Sequence, residues 1–151
     1  MSSLRSSPPP ARAVELRQWQ LASGDELRDM RMGLHQALQL MELVEHAVVE
    51  EVSDRILLAA TELASNALRH GLPPAIVRLL RADGHLIIEV ADRDLESVPK
   101  LAEAHHAHTG GRGLHIVRSL SRELSWYATD LAKHVWASFP VPPAPPPAPG
   151  R

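Results

Sequence analysis

The sequence predicts an α+β fold, a two-layer sandwich in which helices cover one face of a mixed, largely antiparallel sheet. Three observations predict it. Apolar residues recur at helical spacing from Leu27 to Ala67 and stop at Gly71. An alternating run from Ala75 to Ala82 meets a second, His85 to Ala91, across Asp83-Gly84, a dipeptide suited to tight hairpin turns. Two further strand-like runs, Leu124 to Ala128 and His134 to Phe139, follow a short glycine-led helix. Helices grouped ahead of a hairpin belong on one side of the sheet.

Composition bounds the rest. At 151 residues the chain has room for one domain with a proper core. Hydrophobic residues make up 44% but aromatics only 3%, so the core must be built from Leu, Ile, Val and Ala. A formal charge of −2 offers no basic surface for nucleic acid. Without cysteine there is neither a disulfide framework nor a thiolate metal site. No apolar run approaches the roughly 18 residues of a membrane span, and the N-terminus lacks a secretory apolar core. The expectation is a soluble, cytoplasmic protein that contacts neither nucleic acid nor membrane directly.

In chain order, residues 1–12 are Ser/Pro-rich and expected to be disordered, and the ordered domain is expected over 13–140. Val14 and Leu16 alternate with Glu15, Arg17 and Trp19, which predicts a strand over Ala13 to Leu21. Ser23 or Asp25 can cap the next helix by accepting from its free N–H groups. Leu27, Met30, Leu34, Leu38, Met41 and Val44 mark that helix, and a break is expected around Val44 to Val52. A second helix opens near Val52, with Ile56, Ala60, Leu63, Ala64 and Ala67 on one stripe, and Gly71 ends it. In the hairpin, Leu86, Ile88, Val90 and Asp92 share a parity, so Asp92 points toward the helix-covered face, where a carboxylate needs a partner. Arg93 to Thr109 reads as a long loop with a His105-His106-Ala107-His108 run, a weak metal-site signal because no acidic residue stands at matching spacing. Gly110-Gly111-Arg112-Gly113 then opens a helix carrying Leu114, Ile116, Val117 and Leu120; bare N–H groups at such a turn suit an anion. The stretch 141–151 is a Pro/Ala-rich tail without core residues.

Glu62, Asn66 and Arg69 lie within roughly 60° of one another on the second helix, beside its apolar stripe. A carboxylate and a carboxamide one turn apart can share a metal ion, a water or a hydroxyl. An isolated pair of this kind is more often a solvated helix face. Its neighbours in the sequence decide the matter.

Glu62-Leu63-Ala64-Ser65-Asn66-Ala67-Leu68-Arg69-His70-Gly71, Asp92 at a strand end, and Gly110-Gly111-Arg112-Gly113-Leu114-His115-Ile116-Val117 stand in a fixed order. Together they resemble the Bergerat-type ATP-binding fold shared by gyrase, heat-shock chaperones, histidine kinases and MutL. The resemblance is closest to the stand-alone anti-sigma-factor serine kinases of bacterial partner-switching systems, and Lys133-His134-Val135-Trp136-Ala137 is similar to that family's final strand. It implies that Asn66 holds Mg²⁺ through its carbonyl oxygen, a hard ligand for a hard cation. Glu62 would take the proton from a hydroxyl attacking the γ-phosphate of ATP. Asp92 would accept from the adenine amino group. Gly111, Arg112, Gly113 and Leu114 would form the phosphate-facing turn, with Arg69 and His70 as further phosphate-side cations. Implied partners are a sigma factor and an anti-anti-sigma antagonist protein, and a homodimer is possible.

The sequence departs from that pattern at the first glycine box, usually D-x-G-x-G, which here reads Asp92-Arg93-Asp94-Leu95-Glu96. Two glycines that let backbone approach a nucleotide and hinge over it are replaced by residues of which two are acidic. His134 also replaces the Thr or Ser usual before the final strand. These departures carry the alternative expectation, a non-catalytic interaction module that keeps the fold.

Overall fold

The computed structural model describes residues 4–45, 50–82, 84–97, 99 and 112–142. Six strands form a single mixed sheet: β1 (Arg5–Ser6), β2 (Val14–Leu21), β3 (Ala75–Ala82), β4 (His85–Asp92), β5 (Glu123–Ala128) and β6 (Lys133–Pro140). Their spatial order is β1-β5-β6-β4-β3-β2. Only β1 and β5 run parallel; the other neighbours are antiparallel. Helices α1 (Leu27–Leu40), α2 (Glu50–His70) and α3 (Arg112–Leu120) complete the described elements. This is the expected two-layer α+β sandwich.

The helical stripe does what its spacing requires. Met30, Leu34 and Leu38 of α1 and Ile56, Ala60, Leu63, Ala64 and Ala67 of α2 are buried in one cluster with Leu79, Ile88, Val90, Ala137 and Phe139. Alanine dominates the α2 stripe, which lets that helix sit close to the sheet. The long helical run breaks through a π turn, Met41–Glu45, and α2 opens at Glu50, slightly ahead of the expected start. Residues between the two lie outside those described. Ser23 precedes a short 3₁₀ turn, Gly24–Glu26, but its side chain caps nothing; Glu26 Oε1 instead accepts the Ala22 N–H at 3.0 Å. The β3–β4 hairpin turns through Gly84 at φ 72°, a left-handed conformation glycine adopts freely. Asp83 of the expected turn lies outside the described residues.

Two expectations at the N-terminal end are corrected. In β2 the expected apolar parity fails: Val14 is 62% exposed, whereas Trp19 packs on the core beside Gly33. A register shift between Glu15 and Arg17 turns Trp19 inward, because one extra residue moves every later side chain to the other face, while Val14, ahead of the shift, is exposed at the end of the strand pair. Residues 1–12, expected to be disordered, contribute structure from Leu4 onward. Leu4 is buried, β1 joins the sheet beside β5, and the Ser7 N–H donates to Trp126 O at 2.9 Å.

β1 and β2 lie at opposite edges of the sheet, so residues 7–13 cross the face away from the helices. Trp136 donates from Nε1 to Ser7 O at 2.7 Å there, and Ala13 packs on a small cluster of Leu80, Ile87 and Trp136. Proline suits this strap: Pro8, Pro9 and Pro10 carry no N–H that would need a partner on a sheet face. At the other end of the chain, the Val141 N–H donates to Gly84 O at 2.9 Å, and residues 143–151 of the expected tail lie outside the described residues.

Candidate functional site

The site is arranged along α2. Its helical stripe faces the core and leaves Glu62 and Asn66 half-buried at the edge, with Arg69 and His70 exposed on the final turn. Glu62 meets the start of α3. A β-carbon added at Gly113 would fall 2.9 Å from Glu62 Oε2, so glycine lets this helix approach the carboxylate as it stands. The next residue, Leu114, is buried and anchors the turn in the core. Its side chain serves packing; only its backbone remains for a ligand. Gly111 and the side chain of Arg112 lie outside the described residues, as does the His105–His108 run. Among the described residues, no three His, Asp or Glu side chains converge as a metal cluster.

Asp92 lies at the other end of the same edge. It is 5% exposed, on the helix side of the sheet as its parity predicts. A β-carbon added at Gly71 would stand 2.5 Å from Asp92 Cγ and 2.7 Å from Ala67 O. The glycine that stops α2 is therefore also the seat of this carboxylate. The Arg93 N–H donates to Leu72 O at 3.0 Å and ties the end of β4 to the helix stop.

Asp92 has the partner its burial demands. Lys133 stands opposite it in the β4–β6 register, with Nζ 3.7 Å from Asp92 Oδ2 and 3.9 Å from Asp94 Oδ2. Asp92 Oδ1 accepts the Asp94 N–H at 2.7 Å. Asp94, in a position the family pattern gives to glycine, accepts in turn from the N–H groups of Glu96 and Ser97 at 3.1 and 3.3 Å. Hydrogen bonding from Ser97 holds its carboxyl below the usual range, with further help from the Glu96 N–H and the Lys133 charge. The replaced glycine box is thus a compact turn whose negative charge is partly met by Lys133.

Lys133 was not anticipated as a site residue. A cross-strand pair becomes visible only once the register of β4 against β6 is known.

The two ends are linked through Asn66, which lies between them on α2. From Glu62 to Gly71 the helix rises about 13 Å. A cavity of about 470 Å³ opens beside Glu62, lined also by Gly24, Leu27, Ser65, Leu68 and Arg69. Glu62 therefore meets Gly113 of α3 and also lines the cavity at the start of α1.

A mixed sheet covered by helices on one face defines a two-layer α+β sandwich. The chain belongs to the family of histidine kinase-like ATPase domains, whose model matches residues 21–139. No curated protein matches it. Among solved structures it is similar to the RsbU and RsbW domains of Rv1364c from Mycobacterium tuberculosis, with 18% identity over 85% of this chain and a TM-score of 0.55. The chain spans 34% of that protein's length. It also matches the histidine kinase domain of a blue-light activated histidine kinase from Erythrobacter litoralis, at 18% identity and a TM-score of 0.45, covering 89% of this chain and 70% of that one. Among the described residues, no helix is long and apolar enough to cross a membrane.

Proposed function

We propose that this chain binds ATP and transfers its γ-phosphate to a serine or threonine of an antagonist protein, and that it sequesters a sigma factor when the antagonist is inactive. The observation that carries the reading is the pairing of Glu62 with Gly113 at one end of α2 and of Asp92 with Gly71 at the other. At both glycines the missing side chain lets a carboxylate stand against bare backbone, the close approach expected along a nucleotide site. Family membership and the likeness to an RsbW domain support the same reading.

Each residue has a chemical task in it. Asp92, held in place by its pairing with Lys133, accepts from the adenine amino group. The amino end of α3, nine residues long, presents backbone N–H groups to the phosphates beside Gly113. Arg69 and His70 add positive charge from the last turn of α2. Asn66, through its carbonyl oxygen, would hold a Mg²⁺, which would supply charge neutralisation. The acceptor hydroxyl enters from the cavity at the start of α1. Its oxygen bonds to the γ-phosphorus, the bond to the β-phosphate oxygen breaks, ADP departs with the electron pair, and Glu62 takes the hydroxyl proton.

The test is transfer of labelled γ-phosphate from ATP to a candidate antagonist. Glu62→Gln and Asn66→Ala are expected to abolish it. Transfer that survives both would overturn the assignment.

A second reading rests on the first glycine box. Asp94 and Glu96 bring negative charge near a polyanionic ligand, and the turn they form is already hydrogen-bonded within itself. On that ground the chain is an interaction module of the same fold without turnover. Calorimetry with Mg-ATP separates the two, since absence of heat at millimolar nucleotide favours the module.

A further inference from the structure

At the far end of the helical layer, where α1 gives way to α2, lies a cavity of about 270 Å³ that the nucleotide reading does not use. Ser53 on its wall and Asn66 lie on the same helix, about 20 Å apart at 1.5 Å per residue. The two sites are separate.

Three properties of this cavity converge. Among the described residues its charge is one-sided: Glu42, Glu50 and Asp54 line it with His35, and no described Lys or Arg does. Ser53 lines it too. That residue is 6% exposed, and its buried hydroxyl has no hydrogen-bond partner among the described residues. Such a group is costly to leave unsatisfied, so a ligand able to donate to it gains what the empty cavity lacks. The third property is apolar flanking, from Leu38 buried in the wall and Leu43, 75% exposed, at the same opening. Glu42 and Leu43 belong to the π turn, a helix irregularity that recurs at functional sites.

We propose that this cavity binds an alkyl-guanidinium or alkyl-ammonium cation, its head held by Glu42, Glu50, Asp54 and the Ser53 hydroxyl and its stem against Leu38 and Leu43. Those heads carry donors and no acceptor, the complement of this wall, and their methylene stems bury readily against apolar surface. Size agrees. The cavity falls below the roughly 300–1,000 Å³ of sites for larger ligands and suits a single side chain or a short amine. An inorganic ion fits less well, because the carboxylates do not converge as a metal cluster among the described residues.

Agmatine tests this on the full chain at low ionic strength, by calorimetry and amide NMR, with neutral n-butylurea as control. Agmatine is expected to shift the Ser53 and Asp54 amide resonances and to leave Gly113 unmoved. The double variant Glu42→Gln/Asp54→Asn is expected to weaken binding by about tenfold or more, as for charged hydrogen bonds. A peptide with one arginine between leucines distinguishes the source: tighter binding than agmatine assigns the site to a partner protein's side chain, equal or weaker binding to a free amine. Three results would overturn the proposal: no shift at saturating agmatine, n-butylurea binding as tightly, or undiminished affinity in the double variant. Should that variant fail to fold, agmatine affinity on the unaltered chain that is indifferent to added NaCl overturns it equally.

Discussion

Gly71 and Gly113 lie at opposite ends of the proposed nucleotide edge, and the two differ in what a methyl group would strike. At Gly71 the obstacle includes the Ala67 carbonyl oxygen, fixed backbone that cannot turn aside. We expect Gly71→Ala to destabilise the fold by about 1–3 kcal/mol in urea titration, as overpacking does. At Gly113 the obstacle is the far end of Glu62, a flexible side chain that can swing away. Gly113→Ala should therefore leave stability within about 1 kcal/mol of the parent, alanine being the better helix former, while phosphate transfer falls. Lys133→Met removes the counter-charge of a buried carboxylate and should cost about 3 kcal/mol. Adding Asp92→Asn to it should recover part of that loss. On the other face, the Glu89 side chain is wholly buried. Burial alone would push its carboxyl up, but bonds from His134 and Tyr127 and the charge of Arg78, 3.0 Å away, outweigh this and hold it below the usual range. A depressed carboxyl stabilises above its unfolded value, about pH 4.3, and the contribution is lost as pH falls from there through the folded value. Glu89→Gln should flatten that acid limb. Tyr127, the chain's single tyrosine, is shifted up by burial and by Glu89. Its phenolate absorbance should emerge only well above pH 10 in the native protein and return to about pH 10 on unfolding.

Among the elements, α2 and the β3–β4 hairpin were legible because their signals are local. A 3.6-residue stripe, a stop glycine and a turn dipeptide each act within a few residues. The Glu62/Asn66 edge and the glycine at the start of α3 were legible for the same reason. What the sequence hid depends on partners distant along the chain. Trp19 faces the core only because a bulge shifts the parity of β2, and nothing in Glu15-Leu16-Arg17 announces that shift. Lys133 reads as an ordinary strand residue until register sets it opposite Asp92. β1 is the clearest case, since two residues of strand in a Ser/Pro-rich segment carry no periodicity at all. That element yields its own prediction. Leu4 is 7% exposed, so Leu4→Ala should lower stability by about 2 kcal/mol. A strap that merely lay on the surface would show no such loss.

For the whole molecule, ligand linkage offers the broadest check. A nucleotide that binds the native state alone stabilises it by about 2.7 kcal/mol at a hundredfold excess over Kd. Mg-ATP should therefore raise the melting temperature by several degrees, less in Asn66→Ala, and agmatine should add to the gain independently if the two sites are separate. The sheet joins segments from distant parts of the sequence. Arg5 pairs with Ser125, and Ser7 accepts from Trp136, so residues near the start of the chain rest on strands near its end. Contacts so distant in sequence are slow to form. During synthesis, residues 4–7 emerge long before their seats exist, and they settle only when β5 and β6 have left the ribosome. An interrupted translation product would keep Leu4 loose and, lacking β6, could never bury it as the finished chain does. Burial of Leu4 thus reports that β5 and β6 are already in place.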